Sequence, residues 1–371
     1  MIREYIEAHR AEAYKIIAEL CKIPAPSHFE DARAEYCKRW LDGIGAKGVY
    51  IDCAKNVIFP MNCEDSRDIT VFAAHTDTVF PDTEPMPYFD DGERIHSPGA
   101  ADDTASVAVL LLMAKYFVVN GLPADKSFMF VCNSCEEGLG NLKGTRQLFS
   151  DFEGRIARFI SFDAQYNMLY DGCVGSHRYE VTAKTEGGHS FYAFGKSNAI
   201  AVISDIVSEI YKIDVPNKAG TRTTYNVGTV SGGTSVNTVA QEATILCEYR
   251  SDDVECLEFM KNKFESTFNK KRGDDVEVLI KKVGDRPCAN VADETIEALK
   301  SVAVPIIEDV IGEDVRFGRA STDCNIPLSL GVPAICVGVN KHDGVHTREE
   351  WVDKESVIKG LEIAIRLGSD I

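Results

Sequence analysis

The sequence predicts an α/β protein: a mostly parallel sheet flanked by helices, with a smaller α+β domain inserted into it. Three observations carry that expectation. From about residue 1 to 176, short β-rich runs alternate with helical stretches, the pattern of βαβ units around a parallel sheet. Over 177–287 the rhythm changes to β-α-β-β-α-β, the order of a ferredoxin-like domain. A strand-like run, PAICVGV at 333–339, then resumes the first pattern. The expected domains are a discontinuous larger one, 1–176 with 288–371, and the insert, 177–287.

Taken in order, the start (MIREYIEAHRAEAYKII) is charged and amphipathic from its first turn, which reads as a helix and not as a signal peptide. DITVFAA, SFMFVCN and RFISF are candidate strands. TASVAVLLLMAKYFVV is interrupted by Lys115 and falls short of the ~20 residues a membrane span needs, so a buried core helix is expected. In the insert, HRYEVTAK sets Tyr179, Val181 and Ala183 against Arg178, Glu180 and Thr182, as a half-solvated strand should. NAIAVISDIVSEIYKI carries Ile203, Ile206, Val207 and Ile210 on one helical stripe. YNVGTVSGG and ATILCEYRS follow as strands. A second helix then carries Leu257, Met260, Phe264 and Phe268, and DVEVLIKKV closes the unit.

A length of 371 residues suits two domains at roughly 100–200 residues each. The net charge of −18 makes nucleic acid and anionic membranes poor partners and suits metal cations or cationic groups on a substrate. Twelve scattered cysteines, several of them in apolar runs (Cys132, Cys247, Cys336), read as reduced core residues of a cytoplasmic protein.

The stretch FAAHTDTVF, residues 72–80, introduces the chemistry. An apolar run ends at His75 with Asp77 two residues on, so in an extended chain both side chains share a face. Other apolar runs end in the same way. SFMFVCNSC runs into Glu136 and Glu137, RFISF into Asp163, and PAICVGV, after a short loop, into His346 of GVHTREE. SPGAADDTASVAV sets Asp102 and Asp103 just ahead of the buried helix. Ligands of open α/β sheets bind beyond the carboxyl ends of the strands.

Taken singly, each residue has a plainer reading: a hydrogen-bonded strand-end histidine, a helix N-cap, a turn residue or a solvated loop residue. Their common placement at strand ends favours a metal site of the nitrogen and oxygen type. So many carboxylates around one ion would leave uncompensated charge, which favours two. His75 is then a ligand, with Asp77 holding its far ring nitrogen. Two decoys stand nearby. CNSC (Cys132 to Cys135) is a lone pair of cysteines and reads as packing. GLGNLKG resembles a dinucleotide turn, a minor alternative, but Glu136 and Glu137 would repel a pyrophosphate there.

Together, HTDTV, PGAADDTAS, EEGLG, SFD, EGGHS, GGTSVNTV with its following EYR, STDCNIPLSLGVPA and GVHTREEWV resemble a known family. It is that of the di-zinc metallopeptidases: peptidase T, carboxypeptidase G-type enzymes, aminoacylases and succinyl-diaminopimelate desuccinylase. The pieces occur in the family's order, from about residue 70 to 350. The resemblance implies a zinc-exopeptidase type of sheet and two zinc ions per subunit, with cobalt or manganese as substitutes. His75, Asp102 and Asp163 would hold one ion, and Asp102, Glu137 and His346 the other. Asp77 would support His75, and Glu136 would be the general base for a water shared by two ions about 3.5–4 Å apart. The Asp102–Asp103 bond would be cis. The insert would be a lid that also forms a homodimer interface. From it His189 would donate to the oxyanion, and Arg250, with Asn237 nearby, would clamp a substrate carboxylate. Arg250 also shares a strand face with Glu248, which reads as surface charge, and His189 in GGHS reads as a turn histidine.

The chain departs from the family at Thr104 and Ser106, where lysine and glycine are usual, at Cys135, where aspartate is usual, and at EGGHS, which lacks the common alanine. None of these removes a proposed ligand or the base; they alter the pocket. Aspartate at 163 is the aminopeptidase choice within the family, which implies an enzyme releasing an N-terminal residue from short peptides such as tripeptides. Two alternatives stand beside it: a deacylase or carboxypeptidase acting on an N-acyl or other amide, and a non-catalytic metal- or peptide-binding protein.

Overall fold

Four strands, Ser127–Asn133, Ile69–His75, Ile156–Gln165 and Ala334–Asn340, lie side by side and parallel in this computed structural model, which describes residues 2–270 and 272–371. Ile69–His75 and Ala334–Asn340 are buried at every position. Strands covered on both faces read as unbroken apolar runs, which is why these segments stand out in the sequence. The sheet is completed by strands that break the parallel pattern. Val57–Met61 runs antiparallel to Ser127–Asn133, and Tyr50–Ile51 pairs beyond it. On the other margin Met168–Cys173 runs antiparallel to Ala334–Asn340, with Arg316–Ala320 outermost. The fold is therefore mixed α/β with a largely parallel central sheet.

The helix Ala105–Asn120 is buried around most of its surface, as the apolar run implies. Its one charged side chain, Lys115, reaches Glu12 at 2.7 Å. Helix Lys354–Asp370 packs on Ala334–Asn340 and on helices Ile2–Leu20, Ala105–Asn120 and Asp293–Ile311. Gly360 permits this approach, because a Cβ there would lie 1.8 Å from the Val339 carbonyl oxygen.

Strand order locates the site. From Ile69–His75 the chain crosses to Ser127–Asn133 on one side, whereas Ile156–Gln165 lies on the other side and is followed outward by Ala334–Asn340. The winding reverses between Ile69–His75 and Ile156–Gln165, and a crevice opens at the carboxyl ends of strands at such a reversal. His75 ends one of these strands, and Asp163 lies near the end of the other. A small sheet pairs Trp351–Asp353 with Arg94–His96, and so brings the chain after His346 beside the chain before Asp102.

The second unit, Val174–Ala289, has its own core. Its antiparallel sheet runs Thr223–Gly232, Glu242–Ser251, Gly175–Lys184, Glu277–Arg286. Helices Ala199–Ile210 and Val254–Phe268 bury Ile203, Ile206, Met260 and Phe264 against Val181, Ile245 and Tyr249. Both helices start on a side-chain cap. Asn198 Oδ1 accepts the Ile200 N–H at 2.9 Å, and Asp253 Oδ1 accepts the Cys256 N–H at 2.9 Å.

All twelve cysteines are free thiols, and Cys53 alone is exposed. Among the described residues, no helix is long and apolar enough to cross a membrane.

Candidate metal centre

Four strand-end or loop segments of the larger unit converge on the one that carries Asp102. His75 Nε2 lies 2.9 Å from Asp102 Oδ1, and His346 Nε2 lies 3.1 Å from Asp102 Oδ2. His346 Nε2 is also 3.3 Å from Glu137 Oε1. Three sets of donor atoms each fall within 4.8 Å of one another: His75, Asp102 and Asp163; Asp102, Glu137 and His346; His75, Glu136 and Glu137. The first two share Asp102, one oxygen of which faces each histidine. The Asp102–Asp103 bond is cis. All five residues expected as ligands, and Glu136, are therefore brought together.

Asp77 is the hub beneath them. Its Oδ1 accepts the Glu136 N–H at 3.0 Å, and its Oδ2 accepts the Glu137 N–H at 2.9 Å and the Ser27 hydroxyl at 2.7 Å. His75 Nδ1 meets the Asp77 carbonyl oxygen at 3.0 Å and the carboxylate Oδ1 at 3.5 Å. With only acceptors facing it, Nδ1 carries a proton, so Nε2, beside Asp102, is the nitrogen that a metal would take in exchange for its proton. The backbone oxygen thus shares the holding role that the sequence assigns to the carboxylate.

Several residues hold this frame through contacts that the sequence does not disclose. Ser27 also donates to the Glu137 carbonyl oxygen at 3.2 Å. Asp103, fully buried, accepts the His75 N–H at 3.0 Å. Arg33, likewise buried, donates to the Thr76 carbonyl oxygen at 3.0 Å and the Thr104 hydroxyl at 3.1 Å, so it ties the segment after His75 to the one after Asp103. Glu350 accepts three backbone N–H groups of the Asp102 loop. Of these only Asp103 and Glu350 fall inside motifs that stand out in the sequence (PGAADDTAS and GVHTREEWV), and neither position discloses its contact.

The electrostatics fit a cation. Burial, with Asp102 close by, pushes the Asp163 carboxyl well up, and burial pushes Glu137 up to about 7. Against burial, the bonds to Asp102 and Asp77 hold the His75 imidazole well above its usual value, and those to Asp102 and Glu137 push His346 up to about 10. Glu137 Oε1 is buried, with His346 Nε2 3.3 Å away. Crowded buried carboxylates and two imidazoles make a donor set for hard or borderline divalent ions.

The remaining candidates lie in the second unit. Gly188–His189 pairs with Thr238–Val239, and the Ser190 N–H donates to the Asn237 carbonyl oxygen at 2.9 Å, so His189 and Asn237 are neighbours. His189 Nδ1 accepts the Phe191 N–H at 3.3 Å, which puts the ring proton on Nε2. Arg250 grips Glu248 of its own strand through two bonds, at 2.8 and 3.1 Å, the surface pairing that their shared face anticipates.

A largely parallel α/β sheet with histidine and carboxylate donors at its switch point has the makings of a metal site. Residues 71–369 match peptidase family M20/M25/M40, and the chain belongs to that family. It is 23% identical over 390 residues to the protein YqjE of Bacillus subtilis, covering 99% of this chain and 97% of that one. It is 25% identical over 209 residues to succinyl-diaminopimelate desuccinylase of Nitrosospira multiformis, covering 51% of this chain and 54% of that one. Its fold is similar to that of aminopeptidase PepT from Bacillus cereus, with a TM-score of 0.73, 20% identity, and coverage of 97% of this chain and 98% of that one.

Proposed function

We propose that this peptidase-family hydrolase is a two-zinc aminopeptidase of short peptides, tripeptides foremost, that releases the N-terminal residue. The observation that carries the reading is Asp102, set between His75 and His346 with one oxygen toward each. In this reading His75, Asp102 and Asp163 hold one ion and Asp102, Glu137 and His346 the other. Zinc suits the imidazole and carboxylate donors, with cobalt or manganese as substitutes. Bound there, the ions supply an acidified water and a polarised substrate carbonyl.

Glu136 takes the proton from the attacking water and hands it to the leaving amine. Its main chain is anchored on Asp77, which fixes the carboxyl group's starting point. His189, with its proton on Nε2, donates to the developing oxyanion. Arg250 exchanges Glu248 for the peptide's terminal carboxylate, which its planar fork matches in the same two-bond geometry. Asn237, beside His189, contacts the substrate backbone. The second unit, residues 177–287 in the sequence reading, serves as lid and homodimer interface. Its sheet leaves Thr223–Gly232 at an edge, with Val230 69% exposed, and an unpaired edge of this kind invites a second strand. Twelve unbridged thiols fit a reducing, cytoplasmic setting.

The test compares matched tripeptides with free and acetylated N-termini on zinc-loaded protein. Free-amine peptides are expected to be cleaved faster by about two orders of magnitude or more, because a site that pairs polar groups with a substrate's free amine rejects an analogue that leaves them unpaired. Preference for the acetylated series would replace this reading with an N-acyl amide hydrolase. Zinc binding with no turnover of either series would leave a binding protein.

A further inference from the structure

We infer that Glu350 is a positioning residue that sets the shared Asp102 carboxylate between its two histidines; this rests on the metal reading above. Glu350 is 1% exposed and follows His346 by four residues. Its Oε2 accepts the Gly99 N–H at 2.7 Å, and its Oε1 accepts the N–H groups of Ala101 at 2.8 Å and Asp102 at 3.0 Å. Its own carbonyl oxygen accepts the Ser97 N–H at 3.1 Å. Four backbone donors of one loop thus close on a single residue, and the last of the three held by the carboxylate belongs to Asp102 itself.

The loop is shaped for this. Gly99 has a φ of 74°, and a Cβ there would meet Thr78 Cγ2 at 2.6 Å, so the turn that aims these N–H groups inward needs glycine. Converging backbone N–H groups form an anion-binding hollow, here filled by a side chain from a distant segment. Because that segment also carries His346, and because Trp351–Asp353 pairs with Arg94–His96 on the far side, Glu350 fixes the spacing between His346 and Asp102. A carboxylate offers only acceptors, which all three N–H groups require. An amide would turn one N–H toward them.

The experiment compares Glu350→Gln and Glu350→Asp with Glu349→Gln, a control at the exposed neighbour. Zinc stoichiometry and affinity, the visible absorption spectrum of the cobalt-loaded protein, and kcat and KM on a free-amine tripeptide are measured. The Gln variant is expected to keep the parent's circular dichroism, to lose about 10–100-fold in metal affinity and in kcat with KM little changed, and to show an altered cobalt spectrum. The Asp variant, whose carboxylate is retracted by one methylene, is expected to show the same losses in milder form. A folded Gln or Asp variant with parental metal binding and cobalt spectrum would overturn the proposal. So would unfolding of both, which would make Glu350 a structural clamp only. A parent protein that binds no metal would instead sink the metal reading itself.

Discussion

Replacing Glu136 with glutamine is expected to leave metal and peptide binding near parental levels while lowering kcat by about 10²–10⁴-fold. The amide is close in shape to the carboxyl group but cannot accept a proton at neutral pH. The main chain at 136 and 137 stays anchored through the two N–H bonds to Asp77, at 3.0 and 2.9 Å, so the frame survives the change. A loss confined to kcat is the signature of an interaction made in the transition state. Glu136 also lies in a donor set with His75 and Glu137, within 4.8 Å. Metal titration therefore separates the roles: zinc lost from the variant would make Glu136 a ligand, and full turnover would remove it from the chemistry.

Asp102→Asn carries the second large effect. One carboxylate serves both donor sets, so its loss is expected to weaken both ions together, each by more than about 100-fold, and to abolish turnover. His346→Ala, by contrast, touches one set and is expected to release one ion first. The physical reason is charge. His75 and His346 both lean on Asp102, and against burial these contacts hold its carboxyl group below its usual range. The neutral amide offers one oxygen where two are used. Zinc content measured against a graded chelator reads both outcomes. Two ions retained at parental affinity in the Asn variant would remove Asp102 from the bridging position.

Residues whose role follows from the strand they end were legible in the sequence. His75 and Asp163 stand out because a buried run stops at or near them, and the alternation of Tyr179, Val181 and Ala183 marks the sheet of the second unit. Strand direction was less legible. Val57–Met61 and Met168–Cys173 run antiparallel at the margins of the sheet, and apolar runs look alike whichever way they point. Contacts across long separations were not legible at all. Glu350 meets the Asp102 N–H across 248 positions, and Ser27 meets the Glu137 carbonyl across 110, so no local spacing encodes either. Arg33 falls in none of the motifs that stand out in the sequence, yet it lies buried among carbonyl oxygens and a hydroxyl. Composition shows where donors cluster, whereas their supports depend on backbone groups that every residue possesses.

The central claim is that Asp102 is shared by two ions. Anomalous scattering at the zinc edge from crystals of the zinc-loaded protein tests it most directly. Two peaks are predicted within about 4 Å of each other, one among His75, Asp102 and Asp163 and one among Asp102, Glu137 and His346. A single peak, or a pair of peaks out of reach of Asp102, would contradict the account.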